Sequence, residues 1–275
     1  MRGAGANFGV VCSFEFRVHP VGTVLAGPVI YPLAQAPEVL RFYRQYTAAA
    51  PDELTSGALL FTLPPAPFLP PELHGAPVVG VPVCYAGAPE VGEQVLKPLR
   101  AFGPPLADLV QPMPLGVAQR SADLLWPPGY HQYWKSSFLP ALSDAAIDTM
   151  VGHFAGVPSP QTVVVLDHLG GAVSRVGPDD TAFPHRAWPY NFLISSAWAD
   201  PSDTDRNTRW TRAFYAAMEP HLAQAIYGNY MYLGDEGEPR SREVYGPHAE
   251  RLAALKAKYD PTNLFRLNQN IKPAG

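Results

Sequence analysis

Proline is the residue that most limits how this chain can fold. The 275 residues include 32 prolines and 23 glycines. Because proline interrupts helices and central strands, this density excludes long helical bundles and predicts many short elements joined by loops. Residues 64–75 alone contain five prolines and are expected to form an exposed loop. A hydrophobic content of 47% nevertheless predicts a packed core rather than general disorder.

Strand-like and helix-like patterns follow one another between these interruptions. Apolar and polar residues alternate in several predicted strands, whereas the predicted helices repeat apolar residues every three or four positions. A regular succession of strand and helix is absent, and the strands are not apolar throughout. Both observations favour an α+β fold, with a large antiparallel sheet and helices on one face. The predicted strands are 7–18, 24–31, 57–63, 77–85, 131–138, 162–169, 190–198 and 225–233, and the predicted helices are 33–50, 90–102, 143–154, 204–225 and 243–259.

Composition excludes several classes of function. Lys and Arg total 20 against 24 Asp and Glu, a net charge of −4, so no nucleic-acid partner is expected. The sequence has no apolar run long enough to span a membrane and no apolar signal segment at its start, which favours a cytoplasmic location. Cys12 is one of only two cysteines and is expected to be a buried apolar thiol. None of the eight histidines forms a pair with metal-ligand spacing, so no metal site is expected.

Two segments are hard to explain as plain structure. Residues 2–9 are rich in glycine and alanine and run directly into a predicted strand, an arrangement that lets backbone N–H groups approach a ligand closely. Residues 259–271 combine a turn sequence with four amide side chains, which can bind a polar planar ligand or satisfy buried backbone groups. The spacing leaves both interpretations open. The four amides are Asn263, Asn268, Gln269 and Asn270.

Taken together, these segments resemble the berberine bridge enzyme-like FAD-linked oxidoreductases, within the vanillyl-alcohol oxidase and p-cresol methylhydroxylase type of flavoprotein. Residues 2–21 are similar to the family signature R-G-G-G-G-N-F-G-[IV]-V-T-x-F-x-F-R-x-H-P-V, with alanine at two of the glycine positions. Residues 227–230 match the family's Y-x-N-Y, and residues 259–271 are similar to its ending Y-D-P-x-N-x-F-R-x-N-Q-N-I. The resemblance covers the whole chain, but only as the C-terminal half of a family member.

This resemblance implies three parts. Residues 1–21 would be the last strand of an FAD-binding domain, and residues 22–225 a substrate-binding domain whose antiparallel sheet covers the flavin. Residues 226–275 would be a C-terminal segment that packs back on the FAD-binding domain. Most of that domain, including the His and Cys that hold FAD covalently in the family, has no counterpart in the sequence. The implied partners are FAD, a small-molecule substrate, O2 and the missing FAD-binding domain, with no nucleic acid and no membrane.

The resemblance also implies which residues contact the cofactor. Asn229 lies in the segment expected beneath the isoalloxazine ring, and Asn263 and Asn268 match contacts that return to the FAD-binding domain. The segment expected to line the flavin through its backbone comprises Gly5, Asn7, Gly9 and Val11.

The reaction implied by the family is hydride transfer to flavin N5 while a base removes a proton from an alcohol or an amine, with O2 reoxidising the flavin. Tyr230 is the expected base and Tyr227 the second choice, because the strand positions where some family members place an acid or amide read Asn191 and Leu193. In a strand, the two tyrosines would point to opposite faces, so only one would face the substrate. The alternative for Tyr230 is an ordinary half-buried strand residue.

Two functions of different classes follow. The first is an FAD-dependent oxidoreductase, an oxidase or dehydrogenase of an alcohol, sugar or secondary-metabolite substrate, inactive as the isolated chain. The second is a non-catalytic remnant that acts as a small-molecule binding or interaction module. We expect the isolated chain to bind FAD weakly or not at all, and to expose an apolar patch where the FAD-binding domain would pack.

Overall fold

A single large antiparallel sheet organises the described part of the chain. The computed structural model describes residues 2–65, 70–231, 241–267 and 269–275. The strands in these ranges are β1 (Thr23–Pro32), β2 (Leu54–Thr62), β3 (Pro77–Tyr85), β4 (Ala107–Asp108), β5 (Gln111–Pro114), β6 (His131–Leu139), β7 (Val163–His168) and β8 (Tyr190–Trp198). Their order across the sheet is β4-β1-β3-β2-β7-β8-β6, and β5 also pairs with β1. Each of these pairings is antiparallel, as the alternating strand patterns predict.

The helices are short, in keeping with the density of proline. They are α1 (Ala36–Ala48), α2 (Pro89–Arg100), α3 (Leu115–Arg120), α4 (Asp144–Phe154), α5 (Ala172–Arg175), α6 (Thr204–Met218), α7 (Ser241–Tyr245) and α8 (Ala249–Tyr259). Ser143 caps α4, and its hydroxyl accepts the Ala146 N–H at 3.2 Å. The predicted helix 243–259 is interrupted because Gly246, with φ 47°, and Pro247 separate α7 from α8. Within the described ranges, no helix combines the length and the apolar character needed to cross a membrane.

The two faces of the sheet are covered in different ways. Helices α1, α2, α4 and α6 pack on one face, where they bury alternate strand residues such as Val29 and Tyr31. Ile30 points to the opposite face and joins a smaller hydrophobic cluster with Phe61 and Leu193. This second face is covered mainly by irregular segments, and we call it the loop-covered face. The prediction of an α+β fold with helices on one face is therefore confirmed.

One glycine allows a loop to cross the edge of the sheet. Gly27 in β1 has φ 140°, and a Cβ atom at this position would lie 2.1 Å from the carbonyl oxygen of Leu109. A side chain at this position is therefore impossible without moving the segment that links β4 to β5. This close approach lets Leu109 pack against the loop-covered face.

The strand predicted over residues 7–18 is not formed. Residues 9–22 have no regular secondary structure and are mostly exposed, with Phe14 and Phe16 each 73% accessible to solvent. Their alternating pattern is that of a strand, but a strand needs a neighbour to satisfy its backbone, and no described segment pairs with this one. Cys12, expected to be buried, is exposed for the same reason. Apolar side chains are thus exposed along this segment, and an apolar patch where an FAD-binding domain would pack stays a prediction.

The two ends of the described chain meet in a third hydrophobic cluster. This terminal cluster is separate from the clusters on the two faces of the sheet, and Phe8 packs against it. It therefore fixes the glycine-rich segment against the C-terminal helices. Its buried members are Ala4, Ile226, Met231, Val244, Tyr245, Leu252 and Ile271.

The exposure of residues 9–22 can be tested by substitution. We expect the double change Phe14→Ser and Phe16→Ser to alter the free energy of unfolding by less than about 0.5 kcal/mol, since the two rings contact mainly solvent and each other. The same change should reduce binding of an apolar dye, because it removes exposed apolar surface. Thermal unfolding and dye fluorescence give the two readings. As a control, Phe192→Ala in the buried core should cost about 3–5 kcal/mol; a comparable loss in the double variant would contradict the exposure.

Candidate active site

A cavity of about 400 Å³ lies where the loop-covered face of the sheet meets both ends of the chain. Strands β7 and β8 contribute polar side chains to it, the glycine-rich segment contributes backbone, and the C-terminal segments close it. The cavity therefore joins the three regions that the sequence singles out. Its lining includes Gly5, Asp167, Asn191, Tyr227, Tyr245 and Gln269.

The two predicted catalytic tyrosines lie on a turn and not on a strand. Residues Gly228–Tyr230 form a single 3₁₀ turn, in which the Tyr230 N–H donates to the carbonyl oxygen of Tyr227 at 2.8 Å. The rule that neighbouring strand residues alternate between faces does not apply to a turn, so the two rings come together, with centroids 5.2 Å apart. Residues 232 and 233 of the predicted strand lie outside the described residues. The strand-based reason for the expectation is therefore wrong, although of the two tyrosines the cavity lining includes Tyr227 and not Tyr230.

A carboxylate on the sheet is the electrostatic neighbour of Tyr230. Asp167, which lies near the end of β7 and lines the cavity, is close enough to the Tyr230 phenol to raise the pKa of that phenol. Asn191, which faces Asp167 across the β7–β8 pairing, donates its amide Nδ2 to the same carboxylate at 3.2 Å. The side chains of two strands and of the tyrosine turn thus converge on one acceptor.

This arrangement shifts two pKa values in the same direction. Burial raises the pKa of Asp167 above its ordinary value, and the hydrogen bonds from Asn191 and Tyr230 only partly oppose this effect. Burial and the neighbouring Asp167 carboxylate raise the pKa of Tyr230 to about 12. The Tyr230 phenol therefore keeps its proton in the resting protein, and Asp167 is a stronger base than an exposed carboxylate.

Asp167 was not among the residues predicted from the sequence. The family resemblance places an acid or amide at the β8 positions of Asn191 and Leu193, whereas Asp167 lies on the neighbouring strand, directly opposite Asn191. A signal was present, because Asp167 follows four apolar residues, Val163 to Leu166, in a run typical of a buried strand. A carboxylate in such a run is costly unless it has partners, which makes it a candidate functional group.

The glycine-rich segment forms a compact turn beside the cavity. Gly5 lines the cavity and has φ 61°, a left-handed conformation that disfavours any other residue. Ala4 and Ala6, which replace glycines of the family signature, have no positive φ, so the substitutions cause no strain. Ala4 is fully buried in the terminal cluster. The Gly5 prediction is compatible with close approach of a ligand and remains a prediction.

Asn7 has a structural role that the sequence did not reveal. Its Nδ2 donates to the carbonyl oxygens of Ala4 at 2.8 Å and Gln269 at 3.2 Å. The same amide contacts the Tyr245 hydroxyl at 3.0 Å, and its Oδ1 accepts the N–H of Ile271 at 2.8 Å. Asn7 is fully buried. Its side chain joins the glycine-rich segment to the C-terminal tail, and the predicted contact of its backbone with a cofactor stays a prediction.

A buried lysine links the same two segments. Lys256 on α8 donates to the carbonyl oxygens of Asn7 at 2.6 Å and Phe265 at 2.8 Å, and to the Asp260 carboxylate at 2.5 Å. Asp260 also accepts the backbone N–H groups of Leu264 at 2.8 Å and Phe265 at 3.0 Å. Burial raises the pKa of Asp260, but the Lys256 and backbone hydrogen bonds outweigh it and hold this pKa at about 2.

The remaining predicted contacts divide between the cavity and the surface. Asn229 lies beside the cavity, where its Nδ2 donates to the Tyr227 hydroxyl at 2.8 Å. Asn263 has φ 53°, and its N–H donates to the Asp260 carbonyl oxygen at 3.0 Å, which is turn geometry. Gly9 and Val11 fall in the segment without secondary structure, and Val11 is 54% exposed. The predicted contact Asn268 lies outside the described residues.

Comparisons with known sequences and structures relate this chain to one family of proteins. A family model described as "Berberine and berberine like" matches residues 227–272, the stretch that contains the tyrosine turn and the C-terminal tail. An FAD-linked oxidoreductase of Dictyostelium discoideum is 32% identical over 279 residues, covering 99% of this chain and 57% of the relative. Over nearly its whole length, the chain is therefore similar to part of the berberine bridge enzyme-like FAD-linked oxidoreductases.

Other berberine bridge enzyme-like proteins show the same relation. The chitooligosaccharide oxidase of Gibberella zeae is 27% identical over 296 residues, which cover 99% of this chain and 57% of the oxidase. A solved chitooligosaccharide oxidase superposes with a TM-score of 0.77 at 25% identity, over 99% of this chain and 60% of that structure. A variant of berberine bridge enzyme in complex with (S)-reticuline has the same fold, with a TM-score of 0.80 at 19% identity, over 99% of this chain and 60% of that structure. The chain thus spans less than two thirds of the length of these relatives.

FAD is the cofactor of the family, and the cavity suits its ring system. Asn191 is only 2% exposed, yet among the described residues its Oδ1 has no hydrogen-bond partner. A buried acceptor of this kind can accept a hydrogen bond from a bound ligand or from water. Gly5 offers a backbone surface free of side chain, and Tyr227 and Phe183 provide an aromatic wall in which their ring centroids are 5.8 Å apart. These residues fit a planar ring that bears both donors and acceptors.

The link between Lys256 and Asp260 predicts a defined pH dependence. The Asp260 pKa of about 2 lies below the unfolded value of about 3.9, so the stability gained from its ionised form is complete above about pH 4 and is lost as the pH falls through about 2. Asp260→Asn should therefore lower the Tm by a constant amount at neutral pH, and the difference from wild type should shrink below pH 4. Thermal unfolding at several pH values measures this difference. The exposed Asp148, paired with Arg41, provides the control Asp148→Asn with little effect; a pH-independent difference for Asp260→Asn would contradict the assignment.

Proposed function

We propose that this chain supplies the substrate-binding and proton-accepting part of an FAD-dependent oxidoreductase that oxidises an alcohol, a sugar or a secondary metabolite. The single observation that best supports the proposal is the position of Tyr230 beside the Asp167 carboxylate, which lines a cavity together with Gly5 and Asn191. A base, an acceptor beside it and a cavity for a planar ring are the parts that such an oxidation requires.

The proposal also assigns each part of the chain to a domain. Residues 22–225 form the substrate-binding domain, and residues 1–21 and 226–275 belong with an FAD-binding domain. The terminal cluster supports this division, since it joins the glycine-rich segment to the C-terminal helices and is separate from the clusters on the sheet. The exposed, alternating residues 9–22 support it as well, because they have the pattern of a strand whose partner is outside the described chain.

In this function, the flavin supplies the centre that accepts a hydride from the substrate, and O2 is the final electron acceptor. Tyr230 receives the proton of the substrate hydroxyl at its phenolic oxygen while its own proton passes to Asp167. The raised pKa of Tyr230, about 12, makes a free phenolate unfavourable, so the transfer to Asp167 must accompany the removal of the substrate proton. The burial that raises the pKa of Asp167 favours its protonated form and hence this transfer.

Tyr227 has a complementary task in the proposal. Because Asn229 donates its amide to the Tyr227 oxygen, the Tyr227 hydroxyl hydrogen is free to point elsewhere. This phenol is thus arranged as a donor toward a group in the cavity, whereas Tyr230 is arranged as a proton acceptor. The T-shaped contact between the two rings keeps them in fixed relation.

The size of the cavity limits what the isolated chain can bind. A volume of about 400 Å³ is near the lower end of the range for one drug-sized ligand, and FAD adds two phosphates and an adenosine to its ring system. We therefore expect the purified chain to lack a stoichiometric flavin, as judged by visible absorbance after gel filtration in excess FAD. The same chain joined to the remaining part of a relative should retain the flavin. A yellow, stoichiometric isolated chain would show that the expectation is wrong.

The proposed proton transfer is tested in the chain joined to the remaining part of a relative, which is the form expected to retain the flavin. Tyr230→Phe should lower kcat by roughly 10²- to 10⁴-fold, the usual contribution of a positioned acid–base group, and Asp167→Asn should act in the same direction. Steady-state turnover with excess substrate, together with flavin content, measures the effect. Tyr259→Phe is the matched control, because Tyr259 is a 65% exposed tyrosine at the end of α8. Turnover by the Tyr230 variant equal to that of the control would refute the role of Tyr230.

A further inference from the structure

The turn that bears Tyr230 is held from two directions. On the sheet side, the Ser136 hydroxyl donates to the carbonyl oxygen of Tyr230 at 2.9 Å. On the other side, the amide Nε2 of Gln269 donates to the carbonyl oxygen of Gly228 at 2.6 Å. The first contact belongs to the same sheet as Asp167, whereas the second comes from the C-terminal tail. The position of Tyr230 therefore depends on contacts from both the sheet and the C-terminal tail.

Gln269 is itself fixed by the terminal segments. Its backbone carbonyl oxygen accepts the Asn7 amide at 3.2 Å and the Tyr245 hydroxyl at 3.3 Å. Since both partners are buried, the Gln269 backbone has little freedom to move. A hydrogen bond from such an anchored residue restrains the turn more strongly than one from a mobile surface side chain.

The turn has little room to adjust where it lies if the hydrogen bond from Gln269 is lost. A Cβ atom at Gly228 would lie 2.8 Å from Cγ1 of Val244, so the backbone of the turn is pressed against α7 on one side. Without the Gln269 amide, the Gly228 carbonyl oxygen would need another donor, and the turn would rotate away from α7 to find water. Because Tyr230 ends this three-residue turn, a rotation at Gly228 moves its phenol relative to the sheet.

We propose that Gln269 is a positioning residue, which sets the approach of Tyr230 to Asp167 by holding the carbonyl of Gly228. The proposal rests on the function proposed above, because it assigns Gln269 a role through the Tyr230–Asp167 pair. The sequence leaves two uses open for the Gln269 amide, which are to bind a planar ligand or to satisfy buried backbone groups. The proposal favours the second use.

The experiment measures the ionisation of Tyr230 in the full chain without flavin. Protein labelled with ¹³C at the tyrosine Cζ is titrated by NMR, and Tyr230→Phe identifies the Tyr230 signal. In wild type, the signal should remain in its neutral position up to about pH 11, because burial and Asp167 disfavour the phenolate. In Gln269→Met, which keeps the length but lacks the donor, the midpoint should fall by about one pH unit or more toward the ordinary value near 10.

A matched variant separates positioning from general stability. Tyr31→Phe removes a fully buried hydroxyl that donates to the carbonyl oxygen of Leu99 at 2.7 Å on the helix-covered face of the sheet, so it should lower the Tm without moving the Tyr230 midpoint. If Gln269→Met does not fold, Gln269→Asn, whose amide is one methylene too short, takes its place with the same expected direction. An unchanged midpoint in the Gln269 variant, or an equal shift in Tyr31→Phe, would overturn the proposal.

Asp167→Asn distinguishes this proposal from the proposed function. It should lower the Tyr230 midpoint whatever Gln269 does, since it removes the carboxylate that disfavours the phenolate. If Asp167→Asn shifts the midpoint and Gln269→Met does not, only the positioning role fails. If neither shifts it, the Tyr230–Asp167 pair and the function built on it both fail.

Discussion

The buried ammonium of Lys256 is the interaction on which the geometry of the site depends. Its three donors are all used, by the Asp260 carboxylate and by the carbonyl oxygens of Asn7 and Phe265. A charge without access to water must keep such partners, because a buried charge that loses one of them is strongly destabilised. Two stretches of chain far apart in sequence are therefore held together by one side chain. Asn7 and the C-terminal tail take their positions from it.

The proposed catalytic pair unites two packing units. Asp167 belongs to the sheet and its helices, whereas Tyr230 sits on a turn that is tied to the terminal segments through Gln269. The Tyr230 phenol reaches the Asp167 carboxylate only when the terminal segments pack correctly on the sheet. The hydrogen bond from Ser136 to the Tyr230 carbonyl is a direct tie across this boundary. Catalytic geometry in such an enzyme is thus a property of the assembly of its parts, and not of any single element.

Much of the sheet could be predicted from the sequence because its pattern is local. The β-rich runs at residues 77–85 and 190–198 match β3 and β8, and Ser143 caps α4 as its side chain predicts. Residues 7–18 have the same kind of pattern but no neighbour, and pairing is a long-range property that alternation alone does not reveal. The turn at Tyr230 was predicted as a strand because its flanking residues are apolar and aromatic. The role of Asp167 was missed because its partner, Tyr230, is remote in sequence and close only in space.

The placement of Tyr230 on a turn has a consequence for how such enzymes diversify. Side chains such as Leu193 and Trp134, which pack near Tyr230 on the loop-covered face, belong to strands whose backbone pairing does not depend on them. Mutation can exchange these neighbours, and so reshape the space offered to different molecules, while the phenol stays anchored by contacts to its own backbone. Selection for new substrates would then act on different codons from those that retain Tyr230, the proposed proton acceptor.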